Sequence, residues 1–351
     1  MKKKILAIFT AAALVLALLP SMALAGKITD EVTVKFSAGM PGAFDMVDES
    51  ITATGNLAEE FFPDIKENEP DEGVSFADVL VAAHIKKYGT SKVRNYLDMV
   101  AYSDEHSSMV SVKKQFGHSI VGFYYINGEV APDHVSGCVV KKNDELFAGS
   151  YADSTYADLF SSFNVKKLKA TAGKNFSMKI ISDNWSVSIV PETAKFATVD
   201  KKTGKMTDIK TAYAGGVMKA KINKAGEFYL SAKGKVHYEG YYRDQDGKIA
   251  GALAKVTVGL DKAKITKKKG GKKKVTLGWK KVTGAKKYQV YRATKKNGKF
   301  KKVATVSKTS YVNKKLKKNK KYFYKVRAYA KVDGKAYKGA FSAVVKVKTK
   351  K

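Results

Sequence analysis

Near the end of the chain, Val345, Val347 and Thr349 alternate with Lys346, Lys348 and Lys350. A period of two sends the first set to one face of a strand and the lysines to the other. Such a segment folds as a β-strand with one face buried and one face in water. The pattern recurs upstream in Leu277 and Trp279, in Tyr288 and Val290, and in Tyr322, Tyr324, Val326 and Ala328. Residues 260–351 therefore read as a set of alternating strands.

Charge marks the same segment off from the rest. From Leu260 to Lys351 there are 34 Lys+Arg and two acids, Asp261 and Asp333, a net charge of +32 in a chain whose total is +34. Residues 165–259 carry +10, and residues 26–164 carry −11. Segregation on this scale points to separate modules, one of which meets a polyanion. The single cysteine, Cys138, excludes an intramolecular disulfide, so stability has to come from packed cores.

The first residues bear on the compartment. Lys2, Lys3 and Lys4 precede an apolar run from Ile5 to Leu19, then Pro20 and the small-residue pattern Ala23-Leu24-Ala25. This is the pattern of a secretory signal peptide over 1–25, with cleavage leaving Gly26 first. An uncleaved anchor is the competing reading, but the run is short for a span of ~20 residues. No second such run follows, so no membrane span is expected in the mature chain. The expected localisation is secreted, extracellular or cell-wall associated.

Between the ends, two further units are expected. In 26–164, Val32, Val34 and Phe36 alternate as a strand, and Gly39, Pro41 and Gly42 mark a turn. Pro63 to Gly73 reads as an acidic linker. Ser75 and Asp78 have capping-box spacing before Phe76, Val79, Leu80 and Ala83, with Gly89 ending the helix. A second helix is expected through Val93, Tyr96, Leu97 and Val100. Strands are expected at Val121 to Ile126 and Gly137 to Val140, with a hairpin turn at Asn127-Gly128. After a turn at Asn143-Asp144, another strand is expected over Leu146 to Ala148. Asp153 would cap a last short helix bearing Tyr156, Leu159, Phe160 and Phe163. Residues 165–259 read as all-β, with Phe176, Met178 and Ile180 alternating, then Val187 and Ile189, then Phe228, Leu230 and Ala232. Turns are expected at Asp200 to Gly204 and Asp244 to Gly247. This is the pattern of an immunoglobulin-like β-sandwich.

Two resemblances go with these patterns. The stretches Val74 to His84, Tyr125 to Gly128, Val140 to Ala148 and Tyr156 to Phe163 resemble transcobalamin-C-terminal-like, β-grasp surface modules of Gram-positive anaerobes. The resemblance covers about 70–164. It implies an exposed, non-catalytic module and does not imply vitamin binding. Residues 260–349 resemble a fibronectin type III domain along their whole length. That resemblance implies that Trp279 is the core tryptophan of the second strand and Leu316 the leucine of the E–F loop. It also implies that the Tyr322 hydroxyl ties back the E–F corner. Lys-rich versions look like C-terminal modules of secreted and wall proteins of Gram-positive gut bacteria. The expected fold class is thus mostly β and multi-domain: an α+β, β-grasp-like module, an immunoglobulin-like β-sandwich and a fibronectin type III-like β-sandwich.

Candidate chemistry is sparse. His84, His106, His118, His134 and His237 show no zinc-ligand spacing. Cys138 with His134 or His118 is a conceivable nucleophile and base, but Ser136 to Val140 reads as a strand, where a buried thiol is inert. The pairs Glu59-Glu60, Asp71-Glu72 and Asp104-Glu105 read as solvated surface and not as a glycosidase dyad. Asp244 to Gly247 opens like a calcium loop, but Lys255 stands where its glutamate belongs. No catalytic residue, metal or cofactor is expected.

Lysine runs remain. Lys267, Lys268, Lys269, Lys272, Lys273 and Lys274 flank Gly270-Gly271, and Lys314, Lys315, Lys317, Lys318, Lys320 and Lys321 cluster downstream. They serve solubility or bind an acidic polymer. Base readout in nucleic acid is not expected, since Arg292 and Arg327 are the only arginines of this module. The expected function is non-enzymatic binding or adhesion at a bacterial surface. The partners would be an anionic wall polymer or acidic glycan, and a host or bacterial surface protein. The alternative is a secreted hydrolase, or an accessory module of a carbohydrate-active or wall-remodelling system, with its site in 26–164.

Overall fold

The computed structural model describes residues 30–68, 73–104, 107–184, 187–239 and 244–351. The expected signal peptide, the Asp71-Glu72 pair, Glu105 and His106 lie outside them. Among the described residues no helix is long and apolar enough to cross a membrane. The fold is mostly β and multi-domain.

The first unit is a mixed sheet under one helix. A hairpin of Glu31–Met40 and Ala43–Thr54 leads to the helix Phe76–Tyr88. Strand Glu145–Ser150 then lies parallel to the first strand, and Val121–Ile126 and Glu129–Val130 complete the sheet. The order, with the parallel pair at the centre and the hairpin to one side, is β-grasp-like. The helix starts where the sequence places it. Asp78 N–H donates to Ser75 Oγ at 3.0 Å, and Ser75 N–H donates to Asp78 Oδ2 at 2.8 Å. Gly89, at φ 86°, ends it. Asn127 and Gly128, at φ 58° and 94°, form the expected hairpin turn.

His84, on this helix, points into the core and is fully buried. Its Nδ1 bonds Leu80 O at 2.7 Å, its Nε2 accepts from Phe116 N–H at 2.9 Å, and its ring stacks on Phe116 at 4.1 Å. An accepting Nε2 makes the ring the neutral Nδ1–H tautomer. These contacts also hold Phe116 at φ 51°, a backbone cost of about 1–2 kcal/mol for a non-glycine residue.

The middle unit is a sandwich built from one continuous sheet that folds over its own core. Its long strand Gly226–Glu239 pairs along its length with Ala254–Gly259, Thr193–Val199 and Asp244–Ala250. Met178, Ile180, Phe196, Leu230, Val236 and Val256 fill the interior.

The third unit has two sheets. Ile265–Gly271, Lys274–Trp279 and Ser310–Asn313 form one. Lys301–Val306, Lys287–Ala293 and Lys321–Val332 form the other, with Lys335–Lys338 and Val345–Lys348 both pairing the last of these. Trp279, Tyr288, Leu316 and Tyr324 lie in the core between them. Lys317 N–H donates to the Tyr322 hydroxyl at 3.1 Å, so the corner is tied as the resemblance implies. Val347 and Thr349 are buried, and Lys346, Lys348 and Lys350 are exposed.

Four local expectations give way to strand pairing or turns. The helix after Asp153 does not form. Asp153 instead closes a turn on Thr155, whose N–H donates to it at 3.1 Å, and Tyr156 at φ 54° leaves helical geometry. Leu159–Phe163 is a strand of the middle sheet, pairing with Asp244–Ala250 and Asn175–Asn184. Leu159 and Phe163 face the middle core and Phe160 faces the other side, so apolar residues on two faces imitate helical spacing. The second helix of the first unit is only Val93–Tyr96, because Leu97 is extended and strand Asp98–Asp104 follows. Asp244 to Gly247 is no turn but the start of a strand, in which Asp246 meets His237 at 2.8 Å across the ladder. Of Ser136 to Val140, only Val139–Val140 is strand.

Two outcomes are expected. The indole Nε1–H of Trp279 is buried without a hydrogen-bond partner. Trp279→Ala should therefore cost ~3–5 kcal/mol of the third unit's stability, and Trp279→Phe clearly less, because it removes the orphaned donor along with the smaller volume. Denaturant unfolding of residues 260–351 measures both. Burial lowers the pKa of His84 from 6.5 to about 4. The unfolded chain thus takes up this proton near pH 6.5 and the folded chain only near pH 4. Its effect on stability is flat above about pH 6.5 and destabilising as pH falls towards 4, by roughly 3 kcal/mol over that window. The stability difference between wild type and His84→Gln, measured from pH 7 to 4, should shrink by about that amount.

Candidate functional site

The two lysine runs are about forty residues apart in sequence, and folding brings them to one end of the third sandwich. Lys272 and Lys273 form the turn of the first hairpin, with Lys273 at φ 52°, and Lys274 begins the next strand. Leu316 N–H, inside the second cluster, donates to Lys273 O at 3.0 Å. The last strand closes the group: Lys350 N–H donates to Gly271 O at 3.2 Å and Thr349 N–H to Lys320 O at 3.0 Å. Gly270 permits this approach, since a Cβ there would sit 1.9 Å from Lys348 O. Lys314, Lys315, Lys317, Lys318, Lys320 and Lys321 ring the pole from the loop side, and Lys267, Lys268 and Lys269 run from it along an edge strand. All twelve side chains are exposed, and none takes part in an ion pair among the described residues. Of this unit's two acids, Asp261 is paired with Lys174 of the middle unit at 2.9 Å.

One aromatic face of this unit was not foreseen. Lys325 lies 4.6 Å from the Phe300 ring centre and 4.1 Å from that of Phe341. Arg327 lies beside Tyr291 and Phe341 and donates to Gln289 Oε1 and to the Tyr291 hydroxyl, each at 2.8 Å. The signal was present only as the period-two pair Lys325 and Arg327, and it needs the pairing of Lys287–Ala293 with Lys321–Val332, which sets Tyr291 opposite Lys325, to become visible.

The candidate catalytic groups are placed apart. The Cys138 thiol donates to Asp133 O at 3.1 Å and is pushed up in pKa by burial. His118 pairs with Asp45 at 2.9 Å and His237 with Asp246. Glu59 and Glu60 lie on the short helix Leu57–Phe61.

A cleft of about 680 Å³ opens between the first and middle units. Its walls carry Phe123, Tyr125 and Tyr151 from the first sheet, Phe160 and Asp183 from the middle sheet, and Asp133 from a loop. Tyr125 stacks on Phe160 at 3.8 Å, and burial, with the Asp183 carboxylate beside its hydroxyl, pushes its pKa up. Asp158 is held by two backbone donors, Ala152 N–H at 2.7 Å and Lys248 N–H at 2.8 Å. No local pattern marks this site, because its walls come from strands far apart in sequence.

No family profile matches the chain, and no curated protein matches it. Solved structures do. A two-domain fibronectin type III segment of chicken tenascin is similar at 14% identity, over 53% of this chain and 97% of its own, with a TM-score of 0.36. The fibronectin type III domain of human fibronectin type III domain containing protein 3 is similar at 24% identity, over 26% of this chain and 87% of its own, with a TM-score of 0.23. The sixth such domain of that human protein gives 21%, 26%, 87% and 0.23. These scores carry no functional argument, and the fibronectin type III-like character of residues 260–351 rests on its own two sheets and its tied tyrosine corner.

Proposed function

We propose that this chain is a secreted, non-enzymatic binding protein, held at a bacterial surface by its basic third unit. The observation that carries the reading is the convergence of two lysine runs on one pole, exposed and without acidic partners. A net charge of +32 on one small unit makes a strong local field. That field decays over about 8 Å at physiological ionic strength, so it acts on a partner in contact. Each lysine contributes about 0–1 kcal/mol to an exposed ion pair, and many contacts on one polyanion add up. A wall polymer bearing phosphate or carboxylate groups along its length fits this demand. Folding itself repays little of the lysines' mutual repulsion, so a bound polyanion also stabilises the unit.

Residues 260–351 should pellet with isolated cell walls at low salt and be released near molar salt, because binding of this kind releases counterions. Residues 26–259, with a net charge of −1, should stay in the supernatant. Replacing Lys314, Lys315, Lys317, Lys318, Lys320 and Lys321 with Gln should weaken retention and leave the melt cooperative. Binding that is as strong at molar salt as at low salt, or that survives these replacements unchanged, would sink the proposal.

A further inference from the structure

The cleft beside the first sheet begins at an unfinished hairpin. Gln115 and His118 exchange both backbone hydrogen bonds, at 3.0 and 2.8 Å, around Phe116 and Gly117 at φ 51° and 86°. Two-residue turns of this hand normally continue as a ladder. Here the flanking strands part. Ser107–Lys114 pairs with Asp98–Asp104 alone, and Val121–Ile126 turns to Glu145–Ser150, meeting Glu129–Val130 only at Tyr125 and Ile126. Among the described residues no ladder joins the two, so Val110 to Val112 and Val121 to Phe123 face each other across the cleft with open backbone edges. Exposed edges of this kind accept an added strand, with backbone bonds supplying affinity and side-chain pockets supplying specificity.

Charge decides what such a strand carries. Among the described residues no Lys or Arg lines this cleft, while Asp133, Asp158 and Asp183 do, with His134 beside Asp133. None of the three is in an ion pair among the described residues. Acids elsewhere are, as Asp208 is with Lys195 and Lys233 at 2.6 and 3.0 Å. Asp158 accepts backbone N–H groups on both oxygens and Asp133 on one, from His134 at 2.7 Å, while Asp183 lies beside the Tyr125 hydroxyl. Tyr151 stands beside them, a ring against which a cation is held by the quadrupole. A sugar is a poorer fit. Stacking a pyranose needs a free ring face, and Tyr125 is covered by Phe160 at 3.8 Å, while Phe123 is stacked with Phe147 at 6.1 Å. The volume of about 680 Å³ lies within the usual range for a ligand site, about 300–1,000 Å³.

We infer that this cleft takes up an extended peptide carrying a basic side chain, its backbone pairing with the edges of Ser107–Lys114 and Val121–Ile126 and its cation set between Asp133 and Asp183. The occupant is a segment of another protein, so the first two units bind a protein partner while the third holds the polymer.

The test uses the full chain and three fluorescent capped heptapeptides. One has the sequence TVTKTVT, one has Glu in place of the central Lys, and one is TVTKTVT with alternate backbone nitrogens methylated. At physiological salt the Lys peptide should bind, the Glu peptide at least about tenfold more weakly, and the methylated peptide not at all, since charge-assisted contacts and ladder bonds are both required. Hydrogen exchange with the Lys peptide bound should slow at amides within 110–112 and 121–123. Asp133→Asn with Asp183→Asn should lower affinity about tenfold with the melting temperature unchanged. Equal binding of the Lys and Glu peptides would overturn the inference, as would undiminished binding of the methylated peptide or protection confined to other segments. So would a neutral oligosaccharide that protects these amides when no peptide does.

Discussion

The stacking of Phe160 on Tyr125 joins the first sheet to the middle one, and the placement of everything between them follows from it. Phe160 sits on a strand that is apolar on both faces. Leu159 and Phe163 complete the middle core, while Phe160 enters a separate cluster with Phe44, Phe123, Tyr125 and Phe147. Each such ring removes enough surface from water to contribute about 1.5–3 kcal/mol, with up to about 1.5 more from ring pairing. The seam is fastened at its edge by polar contacts. The Tyr229 hydroxyl donates to Asp48 at 2.5 Å, and Lys201 Nζ donates to Asp48 O at 2.8 Å. Gly204 lies so close to Phe44 that a Cβ would sit 1.6 Å from its carbonyl oxygen. A seam this tight sets the walls of the cleft, because Tyr125 and Phe160 belong to both.

The two ends of the molecule treat charge in opposite ways. In the first two units acids draw lysines into ion pairs, as with Lys86 and Lys201 on Glu49 at 3.0 and 3.3 Å. In the third unit almost no acids exist to use them. There the lysines line the edge strand Ile265–Gly271 and the loops at one pole, where they discourage edge-to-edge pairing with other chains. The mutual repulsion that results is tolerated because a buried core of Trp279, Leu277, Tyr288 and Tyr324 holds the sandwich together without help from the surface.

Features written into a few neighbouring residues were legible. The capping box at Ser75, the turn at Asn127-Gly128 and the tyrosine corner at Tyr322 appear where the chain places them, since each is satisfied within a handful of positions. The exposure of the twelve lysines was legible too, because they alternate with or interrupt apolar residues. The misread segments share a cause. Tyr156 to Phe163 and Val93 to Val100 have apolar spacings that fit a helix, and Asp244 to Gly247 has turn composition, yet each gives residues to a strand partner: Leu159 to Ile249, far along the chain, and the other two to the adjoining strand of a hairpin. A ladder satisfies backbone groups of both strands and outweighs weak local preference.

By itself the sequence determined a chain of mostly β units without a disulfide, the burial of the alternating apolar residues in the last of them, and the segregation of positive charge there. Composition and period-two patterning are properties of each segment, and water enforces them wherever the segment lies. Only the tertiary structure decided that two lysine runs share one pole, that a strand near residue 160 serves two cores, and that a hairpin begun at Gln115 and His118 opens into a cleft lined by Asp133, Asp158 and Asp183. Those outcomes depend on which distant strands become neighbours, and that choice is made by packing the whole core, not by any local run of residues.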